Sequence, residues 1–252
     1  NTYKEFLKHI PVYSDNFTGV IANKDDGLVY RIVSDLKKYY PIRVKWYSQS
    51  QKEAQKIKKI IKIPGMHNIS NALAAFSVGQ VLRIKDKYAF NCISDYKGSW
   101  RRFELFRVHT KIKPYRIFTI VSDYAHHPTE IKATLQAAKE KYPKKRIWCV
   151  FQPHQYQRTF YLLKDFVRVF KGALLEKTII TDIYDVTGRE DGEITKKIDA
   201  QKLMQKINKP AVIYLSKSNI ANYLNKNLSG NEVVILMGAG DIYELIKSFP
   251  QI

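Results

Sequence analysis

The chain has 252 residues, of which 43 are Lys or Arg and 23 are Asp or Glu, so its formal net charge is +20. Charged residues make up 26% and hydrophobic residues 45%, a balance typical of folded domains that excludes a disordered chain. No apolar run approaches the roughly 20 residues of a membrane span. Two cysteines are too few for a disulfide framework, and we expect Cys92 and Cys149 to be buried free thiols. We therefore expect a cytoplasmic protein.

The first hundred residues alternate between strand-like and helix-like patterns. Apolar residues that recur every four positions separate two short apolar runs, which is the pattern of a strand–helix–strand unit in a parallel sheet. The predicted elements are strands at 18–23 and 42–47, a helix through Leu28, Ile32 and Leu36, a lysine-rich helix or loop at 52–62, a helix at 67–83 and a short apolar stretch at 88–93. Asn68 or Ser70 is suited to cap the helix at 67–83. A boundary at 95–98 divides the chain into domains at 1–97 and 98–252.

The second part of the chain alternates more regularly. Strands are predicted at 103–109, 115–121, 146–151, 177–183, 211–215 and 233–237. Helices are predicted at 128–142, 159–173, 195–207, 218–228 and 241–249. Six strands alternating with helices predict a doubly wound α/β domain, whose ligands bind beyond the carboxyl ends of the strands.

Two polar clusters follow neighbouring predicted strands. The first, DYAHHP at 123–128, places two histidines at a helix start, where free backbone N–H groups attract an anion. The second, FQPHQYQRT at 151–159, contains His154 and Arg158, which are suited to hold a carboxylate or a phosphate. We expect the two loops to lie side by side. The simpler interpretations are a histidine helix cap beside a packing histidine, and a polar surface loop. Adjacent histidines diverge, which disfavours a metal site.

Three further strings are candidates for binding. The paired Arg101 and Arg102 at the domain boundary can reach a nucleotide phosphate across an interdomain cleft. In GMHNISN at 65–71, asparagine amides can read a base edge and the histidine can stack on or bond a ribose. GAGD at 238–241 resembles half of a dinucleotide fingerprint without its third glycine, so we expect a tight turn with Asp241 capping the last helix.

Together these strings resemble the Mur ligases, the ATP-dependent amino-acid ligases of peptidoglycan precursor synthesis, and within them the alanine-adding branch. The strings that carry the resemblance are GMHNISNALAA at 65–75, RRFE at 101–104, DYAHHPTE at 123–130, QPH at 152–154, Tyr156, Arg158, Thr159 and GAGD at 238–241. The resemblance implies a Rossmann-like domain with a six-stranded, mostly parallel sheet, preceded by the C-terminal part of a P-loop-type ATPase domain.

The resemblance also implies an activity and site residues. ATP phosphorylates the carboxylate of UDP-N-acetylmuramate, and the amine of L-alanine attacks the acyl phosphate, with Mg²⁺ as the metal cofactor. The implied catalytic residues are His126, Arg102 and Asp123. The implied nucleotide-binding residues are His67, Asn68, Asn71 and Arg101. The implied residues for alanine and the acyl phosphate are Tyr124, His154 and Arg158.

This sequence departs from the family pattern at several places. It contains no G-x-x-x-x-G-K-[ST] phosphate loop, and the family's Mg²⁺ ligands belong to the same missing stretch. We therefore expect a fragment that does not hydrolyse ATP alone. The interval between 47 and 65 is short, which indicates a reduced antiparallel flap. Gln155 stands where the family usually has Arg, and Ser122 replaces a frequent Asp.

Two other functions remain open at this point. One is a non-catalytic binding or scaffold protein with the Mur ligase fold. The other is a basic nucleic-acid-binding α/β domain. The basic residues are spread along the whole chain and no RNA-binding motif is present, which disfavours nucleic acid. We accordingly expect neither a nucleic-acid partner nor membrane insertion, and the sequence leaves the oligomeric state open.

Overall fold

The computed structural model of the chain describes residues 19–186, 188 and 192–252. It divides into two compact units, Asn1–Lys97 and Gly98–Ile252, each of which is described by itself. The assignment of the first unit to the end of an ATPase domain, and of the second to an amino-acid-binding domain, remains a prediction.

In residues 19–97, the described part of the first unit, two parallel strands combine with four helices. Its elements are β1 (Gly19–Asn23), α1 (Gly27–Tyr39), β2 (Arg43–Tyr47), α2 (Lys52–Ile60), α3 (Met66–Val81) and α4 (Asp86–Asp95). The side chain of Asp26 caps α1 by accepting the N–H groups of Leu28 and Val29. The core consists of apolar side chains from α2, α3 and α4, namely Ala54, Ile57, Ile69, Leu73, Phe76 and Phe90.

Two expectations for the first unit need correction. Cys92, in the helix that contains the apolar stretch at 88–93, is exposed, so of the two thiols only Cys149 is buried. Neither Asn68 nor Ser70 caps α3. The N-cap is Gly65, with a φ of 102°, three residues before Asn68 and five before Ser70, and the Asn68 amide donates back to the Pro64 carbonyl at 2.7 Å.

The second unit is built on the six-stranded, mostly parallel sheet that the sequence predicts. Its strands are β3 (Glu104–His109), β4 (Ile117–Asp123), β5 (Arg146–Phe151), β6 (Lys177–Ile180), β7 (Val212–Tyr214) and β8 (Glu232–Met237). Their order across the sheet is β3-β4-β8-β5-β6-β7, with β3 antiparallel to β4 and all other pairs parallel. The last strand of the chain is therefore inserted at the centre.

Helices cover both faces of this sheet. They are α5 (Pro128–Lys141), α6 (Tyr156–Tyr161), α7 (Leu163–Gly172), α8 (Gly192–Lys197), α9 (Ala200–Ile207), α10 (Lys217–Asn227) and a 3₁₀ helix (Ile242–Ser248). The side chains of β5 alternate between the two cores: Cys149 packs with Phe166 and Phe170 of α7 on one side, and Val150 packs on the other. Buried strands between two helical layers explain the continuous apolar runs of the sequence.

Two helices predicted as continuous are each divided in the structure. The predicted helix at 159–173 is interrupted at Leu162, whose φ of −100° and ψ of 15° separate α6 from α7. The predicted helix at 195–207 divides because the Asp199 side chain accepts the Lys202 N–H and starts α9 anew. The periodicity of apolar residues continues across both breaks, so it could not reveal them. Among the described residues, no helix is long and apolar enough to cross a bilayer.

A buried carboxylate fixes the start of the central strand β8. Glu232 is 2% exposed, and its Oε2 accepts the backbone N–H groups of Ser229, Gly230 and Asn231 at 3.0, 2.8 and 3.0 Å. Its Oε1 accepts the Ser229 hydroxyl and pairs with Arg146. Burial alone would raise the pKa of the Glu232 carboxyl, but the bonds from Ser229 and Gly230 and the charge of Arg146 hold the pKa below its usual value.

We predict that Glu232→Gln costs about 2–4 kcal/mol of unfolding free energy near pH 7, because one acceptor oxygen becomes a donor that faces other donors. A depressed carboxyl pKa stabilises the fold at pH values above the unfolded pKa of about 4.3, and this stability is lost as the pH falls through the folded pKa. The difference between parent and variant in urea denaturation should therefore shrink below about pH 4.

The control is Glu140→Gln on the exposed face of α5, which should change stability by no more than about 0.5 kcal/mol. Equal stability of the Glu232 variant and the parent at neutral pH would contradict the role assigned to this carboxylate.

Candidate functional site

Loops from the carboxyl ends of β4 and β5 meet at one edge of the second unit. Both strands pair with β8, so the two loops flank its end rather than following adjacent strands. The rings of His126 and His154 nevertheless lie 5.7 Å apart between centroids. The structure thus brings the two clusters together, although the sequence could not show that a third strand separates their parent strands.

The turn after β8 passes between these loops and requires glycine. Gly238 has a φ of 150°, and a Cβ there would lie 2.6 Å from the Gln152 carbonyl oxygen. A Cβ on Gly240 would overlap the ring of Tyr184. The two glycines therefore permit the close approach of backbone to neighbouring loops, a use unrelated to a dinucleotide fingerprint.

Asp241 does not cap the last helix with its side chain, contrary to expectation. Its carboxylate instead accepts the Gln152 amide at 2.8 Å and pairs with Lys217 at 2.6 Å. The same Gln152 side chain, which is 3% exposed, accepts the Ile242 N–H at 3.1 Å through Oε1. The amide of Gln152 thus joins the end of β5 to the start of the 3₁₀ helix.

Arg101 is enclosed beneath the site. The residue is 2% exposed, and its guanidinium donates to the Gly238 carbonyl. Its Cζ lies 4.4 Å from the Tyr243 ring centroid and 4.9 Å from that of Tyr124, within cation–π range. Burial lowers the pKa of the guanidinium. Sequence reasoning expected Arg101 to reach a nucleotide phosphate, but in this structure its side chain holds the turn.

The adjacent Arg102 has the opposite environment. It is exposed, and its Cζ lies 5.5 Å from the centroid of the Tyr124 ring. Of the paired arginines, Arg102 therefore presents a cation at the surface of the site.

Asp123 organises the loop rather than facing solvent. The residue is 5% exposed, and its two carboxylate oxygens accept the N–H groups of Phe103 and Ala125 at 2.9 and 2.8 Å. Burial raises the pKa of the carboxyl, although these N–H groups and Arg102 oppose the shift. With both oxygens engaged, Asp123 positions the residues around it, and the structure gives no direct support for the catalytic role predicted from the sequence.

The two adjacent histidines divide into a cap and a site residue. His127 is the N-cap of α5, and its Nδ1 accepts the Thr129 N–H at 3.3 Å. Glu130 closes the capping box by accepting the N–H groups of His126 and His127 at 3.0 and 3.2 Å. Burial opposes ionisation of Glu130, but these bonds and the nearby His126 lower its pKa. The His126 ring contacts Tyr124 edge-on, at 5.5 Å between centroids.

His154 is held by its neighbours in one orientation. Its ring stacks on Tyr184 at 5.6 Å with an 11° interplanar angle, and Arg158 Nη1 lies 3.1 Å from its Nδ1. Burial, with the charges of Arg158 and His126, lowers the pKa of His154 to about 4, so the imidazole is neutral at physiological pH. Gln155, at the position of the family's usual Arg, adopts a φ of 68° and is the N-cap of α6.

Tyr184 is the site residue that sequence reasoning missed. It lies immediately after the predicted strand at 177–183, and the backbone of Tyr184 exchanges hydrogen bonds with the loop at Pro153 and Gln155, at 2.8 and 3.0 Å. Its position beyond the carboxyl end of a strand was the available signal.

The first unit contains a separate cavity of about 360 Å³. Its walls are mostly apolar and include two asparagines, with Ile61, Ile63, Asn68, Asn71, Ala72, Ala75, Cys92, Ile93 and Tyr96 as lining residues. Two of the three residues predicted there to bind a nucleotide thus share one cavity, whereas His67 does not line it. An apolar slot with a few amides suits a flat heteroaromatic ring.

The described residues contain no group of three or more His, Cys, Asp or Glu side chains arranged to hold a metal ion. Mg²⁺ is commonly held by one or two carboxylates together with substrate phosphates, and the residues described form no all-protein site for it.

Comparison with known proteins gives consistent matches. The family described as "Mur ligase, glutamate ligase domain" matches residues 101–240. UDP-N-acetylmuramate–L-alanine ligase of Acetivibrio thermocellus is 44% identical over 201 residues, covering 79% of this chain and 40% of that protein. The ligase of the same name from Caldanaerobacter subterraneus is 35% identical over 271 residues, covering 98% and 55%. The chain thus spans about half the length of the curated relatives it matches.

Solved structures share the fold at lower identity. UDP-N-acetylmuramate-alanine ligase from Thermotoga maritima has a TM-score of 0.56 at 24% identity, covering 74% of this chain and 37% of that chain. MurF from Acinetobacter baumannii has a TM-score of 0.61 at 11% identity, covering 97% and 53%. The family match covers more than half of the sequence and coincides with the unit that carries the six-stranded sheet, and the chain therefore belongs to the Mur ligase family.

Proposed function

We propose that this chain acts in ATP-dependent ligation of L-alanine to UDP-N-acetylmuramate, a reaction that passes through an acyl phosphate. Both curated relatives described above are named for this reaction. The observation that carries the proposal is the grouping of His126, His154 and Arg158 at the carboxyl edge of the sheet.

The geometry supports binding of a small amino acid. Arg158 is half-buried, and its Nη1 contacts His154, so a guanidinium and an imidazole face one position. A carboxylate accepts charge-assisted hydrogen bonds from a guanidinium. Tyr124 and Tyr184 provide aromatic walls next to the two histidines. We assign the alanine carboxylate to Arg158.

The exposed Arg102 supports the second half of the reaction. Its cation lies above the Tyr124 ring, at the entrance to the same site. An acyl phosphate carries negative charge that a guanidinium stabilises by paired hydrogen bonds. We assign Arg102 to the phosphate oxygens, and we assign Arg101 and Asp123 to the support of the loops that present it.

ATP is assigned in part to the first unit. The cavity that Asn68 and Asn71 line has the size and apolar walls that an adenine ring needs. When ATP is bound, it supplies the phosphoryl group that activates the carboxylate. The 252 residues contain no phosphate loop, so we place no step of phosphoryl transfer on this chain's side chains.

The direct assay is ADP formation by the full-length gene product with UDP-N-acetylmuramate, L-alanine, ATP and Mg²⁺. We expect ADP and the alanyl product to form together only when both substrates are present. Binding of both substrates without ADP release would instead support a scaffold protein, and ADP release with a different amino acid would overturn the alanine assignment.

We predict that Arg158→Ala raises the alanine KM by about 10–150-fold, because a charged hydrogen bond worth about 1.5–3 kcal/mol is lost. The KM for ATP should change by no more than about twofold, since no ATP contact is assigned to this residue. The matched control is Arg168→Ala on the exposed surface of α7, where the side chain pairs with Asp165. Unchanged alanine kinetics in Arg158→Ala would refute the assignment.

We predict that Asn71→Leu weakens adenosine binding by about 5–30-fold, because the cavity loses an amide that can hydrogen-bond a base edge. Calorimetry with adenosine or AMP on the 252-residue chain measures this directly. Asn91→Leu, at an exposed position of α4 outside the cavity, is the control. Equal adenosine affinity of the parent and the Asn71 variant would remove the first unit's cavity from the nucleotide site.

A further inference from the structure

The Nδ1 atoms of the two site histidines contact different types of partner, one a hydrogen-bond acceptor and the other a hydrogen-bond donor. His126 Nδ1 lies 3.1 Å from the Tyr124 carbonyl oxygen, and 3.5 Å from Glu130 Oε2. His154 Nδ1 lies 3.1 Å from Arg158 Nη1. A carbonyl oxygen can only accept a hydrogen bond, and a guanidinium can only donate one.

These partners fix the position of each proton. The Nδ1 atom of His126 must carry hydrogen to donate to the carbonyl, so the Nε2 atom of the neutral ring holds a lone pair. The Nδ1 atom of His154 must be bare to accept from Arg158, so its Nε2 atom carries the hydrogen. In the described part of the chain, no recorded hydrogen bond occupies either Nε2 atom. One ring therefore offers an acceptor to the site, and the other offers a donor.

We infer that the two histidines perform different steps of ligation: His126 accepts the amine proton through Nε2, and His154 donates from Nε2 to the developing oxyanion. This inference rests on the proposed ligase function. The rings lie 5.7 Å apart between centroids, so a single tetrahedral centre can hydrogen-bond to both. Glu130, 3.5 Å from His126, stabilises the imidazolium that forms.

The amine nitrogen of alanine attacks the carbonyl carbon of the acyl phosphate, and the C–N bond forms as the π electrons move to oxygen. The proton leaves the nitrogen for His126 Nε2, while the oxyanion accepts the hydrogen bond from His154. The oxyanion electron pair then re-forms the carbonyl as the bond from carbon to the phosphate oxygen breaks, inorganic phosphate departs with the electron pair of that bond, and His126 releases its proton to solvent.

His154 is unsuited to the base role. Protonation at Nδ1 would place a second hydrogen against the Arg158 guanidinium, and burial together with the neighbouring charges lowers the pKa of His154 to about 4. A base this weak takes up a proton poorly at neutral pH. The same environment makes it a neutral donor of fixed orientation.

Nitrogen chemical shifts of the imidazole rings test the inference on the 252-residue chain without substrate. In ¹⁵N-histidine-labelled protein at about pH 8, where an ordinary imidazole is neutral, His126 should carry hydrogen on Nδ1 and His154 on Nε2. Two other histidines are internal controls. His109 Nδ1 lies 2.9 Å from the Thr110 carbonyl and should match His126. His127 Nδ1 accepts the Thr129 N–H and should match His154.

Replacing the donor tests the cause of the His154 tautomer. Arg158→Leu removes the partner of Nδ1, so the His154 nitrogens should shift towards values averaged over both tautomers. Arg168→Leu, on the exposed face of α7, should leave them unchanged. A bare Nδ1 on His126, a protonated Nδ1 on His154, or no response to Arg158→Leu would overturn the inference.

Amide replacement in the full-length gene product tests the chemical roles. A glutamine amide donates at the position of Nε2 but cannot take up a proton, so His126→Gln should lower kcat by about 10²–10⁴-fold, with a much smaller change in the alanine KM. His154→Gln should retain more kcat than His154→Ala, since the amide restores the donor. Full kcat in His126→Gln would contradict the base role. If the tautomers are as inferred but the parent protein catalyses no ligation, the tautomer assignment stands and the proposed ligase function is refuted instead.

Discussion

The hydrogen bond from the buried Arg101 guanidinium to the Gly238 carbonyl holds the site together. A buried cation is costly unless it is paired, and here a carbonyl dipole and the faces of Tyr124 and Tyr243 replace water. The bond fixes the turn after the central strand, against which Gln152 packs so closely that only glycine fits at 238. The loops of both neighbouring strands are positioned by this turn, and the functional side chains depend on it.

Two chemically identical side chains acquire different properties at this edge. The Nδ1 atom of His126 contacts a carbonyl and a carboxylate oxygen, whereas the Nδ1 atom of His154 contacts a guanidinium nitrogen. Their surroundings determine which ring nitrogen carries the proton and which faces the site. Enzymes commonly assign acid, base and donor functions to residues of one type by such differences in environment. The adjacent arginines follow the same principle, since Arg101 is enclosed and Arg102 is exposed.

The sequence predicted the strands, most helices and the loops that carry the site, because apolar periodicity and strand-end positions are local properties. It could not predict that β8 inserts between β4 and β5, since strand order depends on contacts between distant residues. The burial of Arg101 and the engagement of Asp123 by two N–H groups are likewise consequences of tertiary packing. Leu162 breaks a helix without interrupting the apolar pattern, so the division of α6 from α7 left no signal.

The most direct measurement is a titration of the ¹⁵N-labelled 252-residue chain with L-alanine, followed through backbone amide resonances. The account predicts saturable shifts that are largest at residues 124–127 and 154–158, with an equal concentration of D-alanine causing much smaller changes. Shifts centred elsewhere, or an identical response to both enantiomers, would contradict the placement of amino-acid recognition at the carboxyl edge of the six-stranded sheet.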